Sequence, residues 1–209
     1  MGATVAGTLA GMPRISEAHR EERRRHVLVC AWRCFARDGF HVTSMDDVIA
    51  ETGMSASGVY RYISGKDELI EAAGLEAAAM FRAVFERLLA ADEPPRPAGL
   101  VAALAAELGR GPNSDLSRIA IQAWAEALRN PAVNTNARAF HLELRGQLGR
   151  LVRRWQESGE LPPGADPDAI GQALATLLPG LLVAHHVLGG IPVDALVTGL
   201  RALAGSSST

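Results

Sequence analysis

Residues 43–66 read TSMDDVIAETGMSASGVYRYISGK. Two short helical patterns stand here on either side of a glycine, with a lysine at the end. Ser44 occupies an N-cap position, and Asp47, three residues on, is the acid of a capping box. That helix is predicted to reach about Thr52, where Gly53 turns the chain. Ser55 caps a second short helix running to about Tyr62, and Ser64–Gly65 break it. Val48, Ile49 and Met54 supply packing, which leaves Ser55, Ala56, Ser57, Tyr60 and Arg61 for an exposed side. This is the pattern of a helix-turn-helix, which needs a supporting helix, a tight turn and small or polar residues facing outward. A plain helical hairpin within a core is the alternative, but residues 55–61 are short and polar for a core helix. Lys66 is the only lysine among 21 basic residues. A compact ammonium at the start of a helix suits a phosphate.

Upstream, residues 17–38 are predicted to form a helix, with Leu28, Ala31, Trp32 and Phe35 at helical spacing. Ser16 is its expected N-cap and Gly39 its stop. Downstream, residues 67–90 form a long helix whose apolar face includes Leu69, Ile70, Ala73, Ala77, Phe81, Val84 and Phe85. Further helices are expected at about 98–109, 115–129, 132–158, 167–188 and 193–203, each bounded by Pro, Gly or Asn. No segment alternates as a strand would. The expected fold is all-α with about nine helices: a three-helix head and a larger helical body. The predicted organisation is a disordered tail at 1–15, a head at 16–66, a body at 67–204 and a tail at 205–209.

The chain has 209 residues, 48% of them apolar, enough to build an ordinary globular core. Net charge is −2, so no global field draws it to nucleic acid. The distribution differs: residues 1–66 hold 9 basic and 7 acidic side chains, the remainder 12 and 16. A mildly basic head on an acidic body permits DNA binding by the head. Cys30 and Cys34, four apart on one helix, are poorly placed for a disulfide and suggest a reducing compartment. The N-terminus lacks the basic and long apolar regions of a signal peptide. Residues 170–187 come nearest to a membrane span, but Gln172, Thr176, Pro179, His185 and His186 interrupt them. No membrane partner is expected.

The segment GFHVTSMDDVIAETGMSASGVYRYISGKDELIEAA resembles the N-terminal domain of TetR-type transcriptional regulators. The resemblance rests on Gly39-Phe40, Thr43-Ser44, Asp47-Val48-Ile49-Ala50, Gly53-Met54-Ser55, Tyr60 and Lys66-Asp67-Glu68-Leu69, with Val27, Leu28, Ala31 and Phe35 matching the first helix. Residues 124–131 (WAEALRNP) also look like a segment of some such regulators. Ser57-Gly58 departs from the family, which has glycine before the small hydroxyl residue, and Ile63 replaces a common aromatic.

The resemblance implies that Thr43, Tyr60 and Lys66 touch phosphates, while Ser55, Ala56, Ser57, Gly58 and Arg61 face the major groove. Arg61 is the candidate for reading a guanine edge, with another phosphate contact as the equal alternative. Arg23, Arg24 and Arg25 are a solvated face or further backbone contacts. The resemblance also implies a homodimer on palindromic double-stranded DNA, through a four-helix interface from 167–188 and 193–203. It implies a small-molecule effector in the body, for which Phe81, Phe85, Gln122, Trp124, Phe140, His141 and His185 are candidates. An apolar pocket with few polar groups suits a hydrophobic ligand. Each of these residues is otherwise explained by core packing. A shift of the 67–90 helix would carry the signal to the head.

The expected function is a ligand-released repressor in the bacterial cytoplasm, at the nucleoid. An activator of the same fold, or a helical sensor with little DNA binding, stays open. No catalytic motif is found, so no enzyme is expected. No cofactor is expected. His26, Cys30 and Cys34 share one helix side, which cannot by itself enclose a tetrahedral metal, so no metal is expected either.

Overall fold

A computed structural model describes residues 17–108, 112–190 and 192–205. Among the described residues there are nine α-helices and no strand. They are α1 (Glu17–Asp38), α2 (Met45–Thr52), α3 (Ala56–Tyr60), α4 (Lys66–Ala90), α5 (Pro97–Leu108), α6 (Pro112–Glu126), α7 (Pro131–Glu157), α8 (Pro167–Val187) and α9 (Val193–Gly205). The all-α expectation holds. Ser16, the expected tail at 1–15 and residues 206–209 of the tail expected at 205–209 lie outside the described residues; Gly205, expected in that tail, closes α9 instead.

The local signals behave as their chemistry requires. Ser44 Oγ accepts from Asp47 N–H while Asp47 accepts from Ser44 N–H at 2.8 Å, a complete capping box. Gly53 sits at φ 66°, the left-handed conformation that ends α2. Helix α3 stops at Tyr60, shorter than predicted, because Tyr62 N–H reaches back only three residues to Val59 O. Asn130 and Asp166 cap α7 and α8, each followed by proline at the first helical position. Arg154 of α7 donates to the carbonyls of Leu89, Ala91 and Asp92, closing the C-terminal end of α4.

Val27, Ala31, Cys34 and Phe35 of α1 are buried with Val48, Val59 and Ile63. Phe35 and Phe40 meet edge to face at 4.9 Å. His26 Nε2 donates to Thr52 O at 3.0 Å, and Cys30 Sγ donates to Glu51 O at 3.7 Å. The histidine and thiol of α1 therefore satisfy the last carbonyls of α2, a role the sequence reading missed.

Helix α4 packs on α1, α6 and α7, and so joins the small N-terminal helices to the rest. Helices α7 and α8 form the most extensive helix pair. Their backbones approach closely at two glycines: a Cβ on Gly171 would stand 3.0 Å from both Arg145 O and Gly149 N. By length and composition α8 could cross a bilayer. Four of its residues, Gly171, Ala175, Leu178 and Leu182, are buried in the bundle.

Candidate DNA-reading head and effector cavity

Helix α3 is held by one apolar anchor, Val59, which is fully buried. Around it Ser55, Ala56, Ser57, Tyr60 and Arg61 are exposed. Ser55 Oγ accepts from Gly58 N–H at 3.2 Å and lies 3.3 Å from Ser57 Oγ. Gly58 is half-buried, and a Cβ there would meet Ser55 Oγ at 3.2 Å and Met54 Cε at 3.4 Å. The Ser57-Gly58 order thus keeps the capping hydroxyl close to the backbone and leaves Ser57 exposed.

Two expected phosphate contacts differ in their surroundings. Lys66 is half-exposed and donates from Nζ to His41 O at 3.2 Å, across the mouth of the α1–α2 turn. Thr43 is buried, only 1% exposed, and its hydroxyl donates to Gly39 O at 2.8 Å. Its side chain cannot serve as a phosphate contact in this conformation; it braces the turn. Arg24 is likewise engaged, pairing with Glu68 at 3.0 Å, whereas Arg23 and Arg25 are exposed. Glu68 also accepts from Ser64 N–H and Oγ, each at 2.8 Å. The Ser64 backbone bond is the main cause that holds the Glu68 carboxyl below its ordinary value, against the opposing effect of burial.

The body contains a cavity of about 60 Å³ among α4, α6, α7 and α8. Phe81, Trp124 and Phe140, three of the residues singled out in the sequence, line it. Phe81 and Phe140 lie 6.2 Å apart by ring centroid. The other four candidates do not line it. Phe85 is buried in the core at 1% exposure. His141 stands behind Trp124, edge to face at 6.1 Å. His185 packs edge-on against His186 at 4.8 Å. Gln122 faces the other way: Oε1 accepts from Phe40 N–H at 2.7 Å, and Nε2 donates to Phe35 O at 2.9 Å. Both ends of its amide are used on the backbone between α1 and α2. Glu71 and Asn136 line the cavity without having been predicted. A glutamate on a helix carries no sequence signal that separates a cavity wall from a solvated face.

A second, larger hollow of about 950 Å³ lies between α5, α8 and α9. Leucines from α5, α8 and α9 line it, and its rim charges Arg96 and Glu160 pair with each other at 3.2 Å.

The comparisons with known proteins agree with this architecture. Residues 27–73 match the bacterial regulatory proteins of the tetR family, and residues 97–205 match the C-terminal domain of BetI-type transcriptional repressors. The second match alone spans more than half of the chain. The protein belongs to the TetR family of transcriptional regulators.

UidR of Escherichia coli K12, an HTH-type transcriptional regulator, is 23% identical over 197 residues, covering 92% of this chain and 96% of that one. YfiR of Bacillus subtilis 168 is 39% identical over 57 residues, 27% of this chain and 28% of YfiR. A transcriptional regulator of Saccharomonospora viridis, solved in complex with choline, superposes with a TM-score of 0.71 at 23% identity, covering 90% of this chain and 97% of that one. Members of the family are DNA-binding helix-turn-helix regulators with a ligand-binding C-terminal domain. No enzymatic activity is indicated by these relationships.

Proposed function

We propose that the protein is a ligand-released repressor that binds a palindromic operator as a homodimer in the bacterial cytoplasm, at the nucleoid. The reading divides the chain into a DNA-binding domain at 16–66 and an effector and dimerisation domain at 67–204. The observation that carries it is the exposed face of α3, where five small or polar residues surround one buried anchor. Such a face offers hydrogen-bonding groups to base edges at little steric cost. Ser55, Ala56, Ser57, Gly58 and Arg61 face the groove; Tyr60 and Lys66 hold phosphates.

One such head spans only a few base pairs, so specificity requires two. Leu177, Val183 and Val187 of α8, with Leu188 at its C-cap, leave an apolar stretch exposed, which supports dimerisation through α8 and α9. Repression follows the description of the body's family as that of a repressor.

The effector acts from the cavity walled by Phe81, Trp124 and Phe140. Ala123 and Trp124 on that wall follow Gln122, which grips the head, by one and two residues. A displacement of α6 or α4 by ligand then alters the spacing of the two α3 helices. A hundredfold loss of DNA affinity needs only about 2.7 kcal/mol of such coupling.

Selection of a random duplex library by the purified protein tests the reading, with a Tyr60→Ala, Lys66→Ala double variant alongside. Enrichment of a palindrome by the unaltered protein alone, weakening steeply with salt, is expected. Equal enrichment by the double variant, or none by either at low salt, would refute it.

A further inference from the structure

We infer that His41 and Arg129 are positioning residues for Lys66. Arg129, in the turn after α6, holds the His41 ring, and the His41 carbonyl holds the ammonium that meets a DNA phosphate. This rests on reading Lys66 as a phosphate contact and adds what aims it.

Among the described residues Lys66 Nζ makes one hydrogen bond, to His41 O at 3.2 Å, and no carboxylate pairs with it. An ammonium anchored on an uncharged carbonyl keeps its full charge and leaves its other donors for an anion. Arg24, by contrast, spends its charge on Glu68. Without an anchor, the flexible lysine stem spreads the ammonium over many positions, and a phosphate must order it on binding.

The anchoring carbonyl is itself placed by the body. No backbone N–H donates to His41 O among the described residues, so Lys66 is its partner. The turn is fixed on both sides of it. Phe40 N–H donates to Gln122 Oε1 at 2.7 Å, and Thr43 N–H and Oγ1 donate to Gly39 O at 3.2 and 2.8 Å. His41 is the exposed residue between them, and its ring alone would turn freely in water. Arg129 Nη2 donates to its Nε2 at 2.6 Å, so Nε2 accepts and the ring proton belongs on Nδ1. Glu126 steadies Arg129 at 3.3 Å and stands 3.5 Å from the same Nε2; its side chain is only 13% exposed. Glu126 is the last residue of α6. A movement of that helix end therefore reaches Lys66 through one imidazole.

Lys66 is the only lysine in the chain, so lysine labelled with carbon-13 at Cε gives a single side-chain signal. Its relaxation in the full chain without DNA is expected to show a restricted side chain in the unaltered protein. The same is expected in His41→Gln, whose amide oxygen can replace Nε2 as acceptor. A freely moving side chain is expected in His41→Leu and Arg129→Met. Operator affinity is then measured for His41→Leu, Lys66→Ala and the double variant. His41→Leu keeps the carbonyl and removes only the ring's acceptor. It is expected to weaken binding at least about threefold with Lys66 present, and no more than about 1.5-fold once Lys66 is alanine. His41→Gln is expected to bind as the unaltered protein does. Melting temperatures show whether each variant folds. Equal relaxation in all the folded proteins, or a His41→Leu effect of the same size in both backgrounds, overturns the inference. Failure of the unaltered protein to select any operator removes the DNA-binding reading alone; the relaxation comparison then still supports or overturns the placement of Lys66 by His41 and Arg129.

Discussion

Gln122 on α6 holds Phe40 by its backbone: the amide oxygen accepts from Phe40 N–H at 2.7 Å across 82 residues of sequence. The same side chain donates to Phe35 O, so a single amide bridges the end of α1 and the turn that follows. Nearby, Arg129 approaches His41 Nε2 at 2.6 Å and Glu126 at 3.3 Å, and Lys66 reaches the His41 carbonyl. The C-terminal part of α6 is therefore attached to the segment that positions the DNA-reading helices.

Gln122→Leu keeps bulk and removes both bonds. Phe35 O retains Gly39 N–H as a donor, so the main loss is a buried Phe40 N–H without a partner. A destabilisation of about 1–3 kcal/mol is expected in urea unfolding. The effector-induced change in operator affinity is expected to shrink as well. Full stability together with a full response would contradict the role of this contact.

Thr43 gives a sharper contrast between bracing and binding. Thr43→Val retains shape and loses the bond to Gly39 O, at a cost of about 1–3 kcal/mol. Thr43→Ser keeps most of that stability. Neither change is expected to alter the salt slope of operator binding, since the hydroxyl is buried. A slope change with Thr43→Val at unchanged stability would restore it as a phosphate ligand.

Lys66→Ala and Arg61→Ala separate positioning from reading. In a homodimer Lys66→Ala removes two phosphate contacts, which lowers the slope of log affinity against log salt by about 2. Its effect is uniform across operator variants. Arg61→Ala, if Arg61 meets a guanine, relaxes selection at one base pair in each half-site by about 1–3 kcal/mol. Binding measured over a salt series and a panel of operator variants distinguishes the two patterns.

Gly171→Ala tests the α7–α8 crossing. The new methyl would meet Arg145 O and Gly149 N, both backbone atoms that cannot rotate away. Overpacking of about 1–3 kcal/mol is expected, measured by chemical denaturation. Gly180→Ala on the same helix meets nothing within 4 Å, and is expected to be neutral or stabilising by up to about 1 kcal/mol.

Glu68 supplies a pH dependence. Bonds from Ser64 and Arg24 hold its carboxyl below the ordinary value of 4.5. The folded state thus binds its proton less readily than the unfolded state does. Its contribution is complete above 4.5 and is lost as pH falls through the depressed folded value. Glu68→Gln should lower stability at neutral pH and flatten the acid limb of a stability profile. An acid limb unchanged in the variant would assign that limb to other carboxylates.

The sequence by itself determined the helices and those of their ends that carry caps, because caps, glycines and prolines act within a few residues; α3 and α6, expected at 55–62 and 115–129, end at Tyr60 and Glu126 instead. Ser44 with Asp47, Gly53, and Asn130 before Pro131 do in three dimensions what their local chemistry dictates. The face of α3 was legible for the same reason: with one apolar residue to bury, the remaining side chains stay in water. Tertiary structure alone decided what the isolated polar residues do. Gln122 and Trp124 are two apart on α6, yet one grips the head and the other walls the cavity. Thr43 looked free for a phosphate until its burial, with the hydroxyl bonded to Gly39 O, committed it to the turn. Glu71 resembled any helical surface acid until α7 brought Asn136 to its side. Partners 65 to 87 residues away leave no local pattern in sequence, and they set whether a polar side chain braces the fold or faces a ligand.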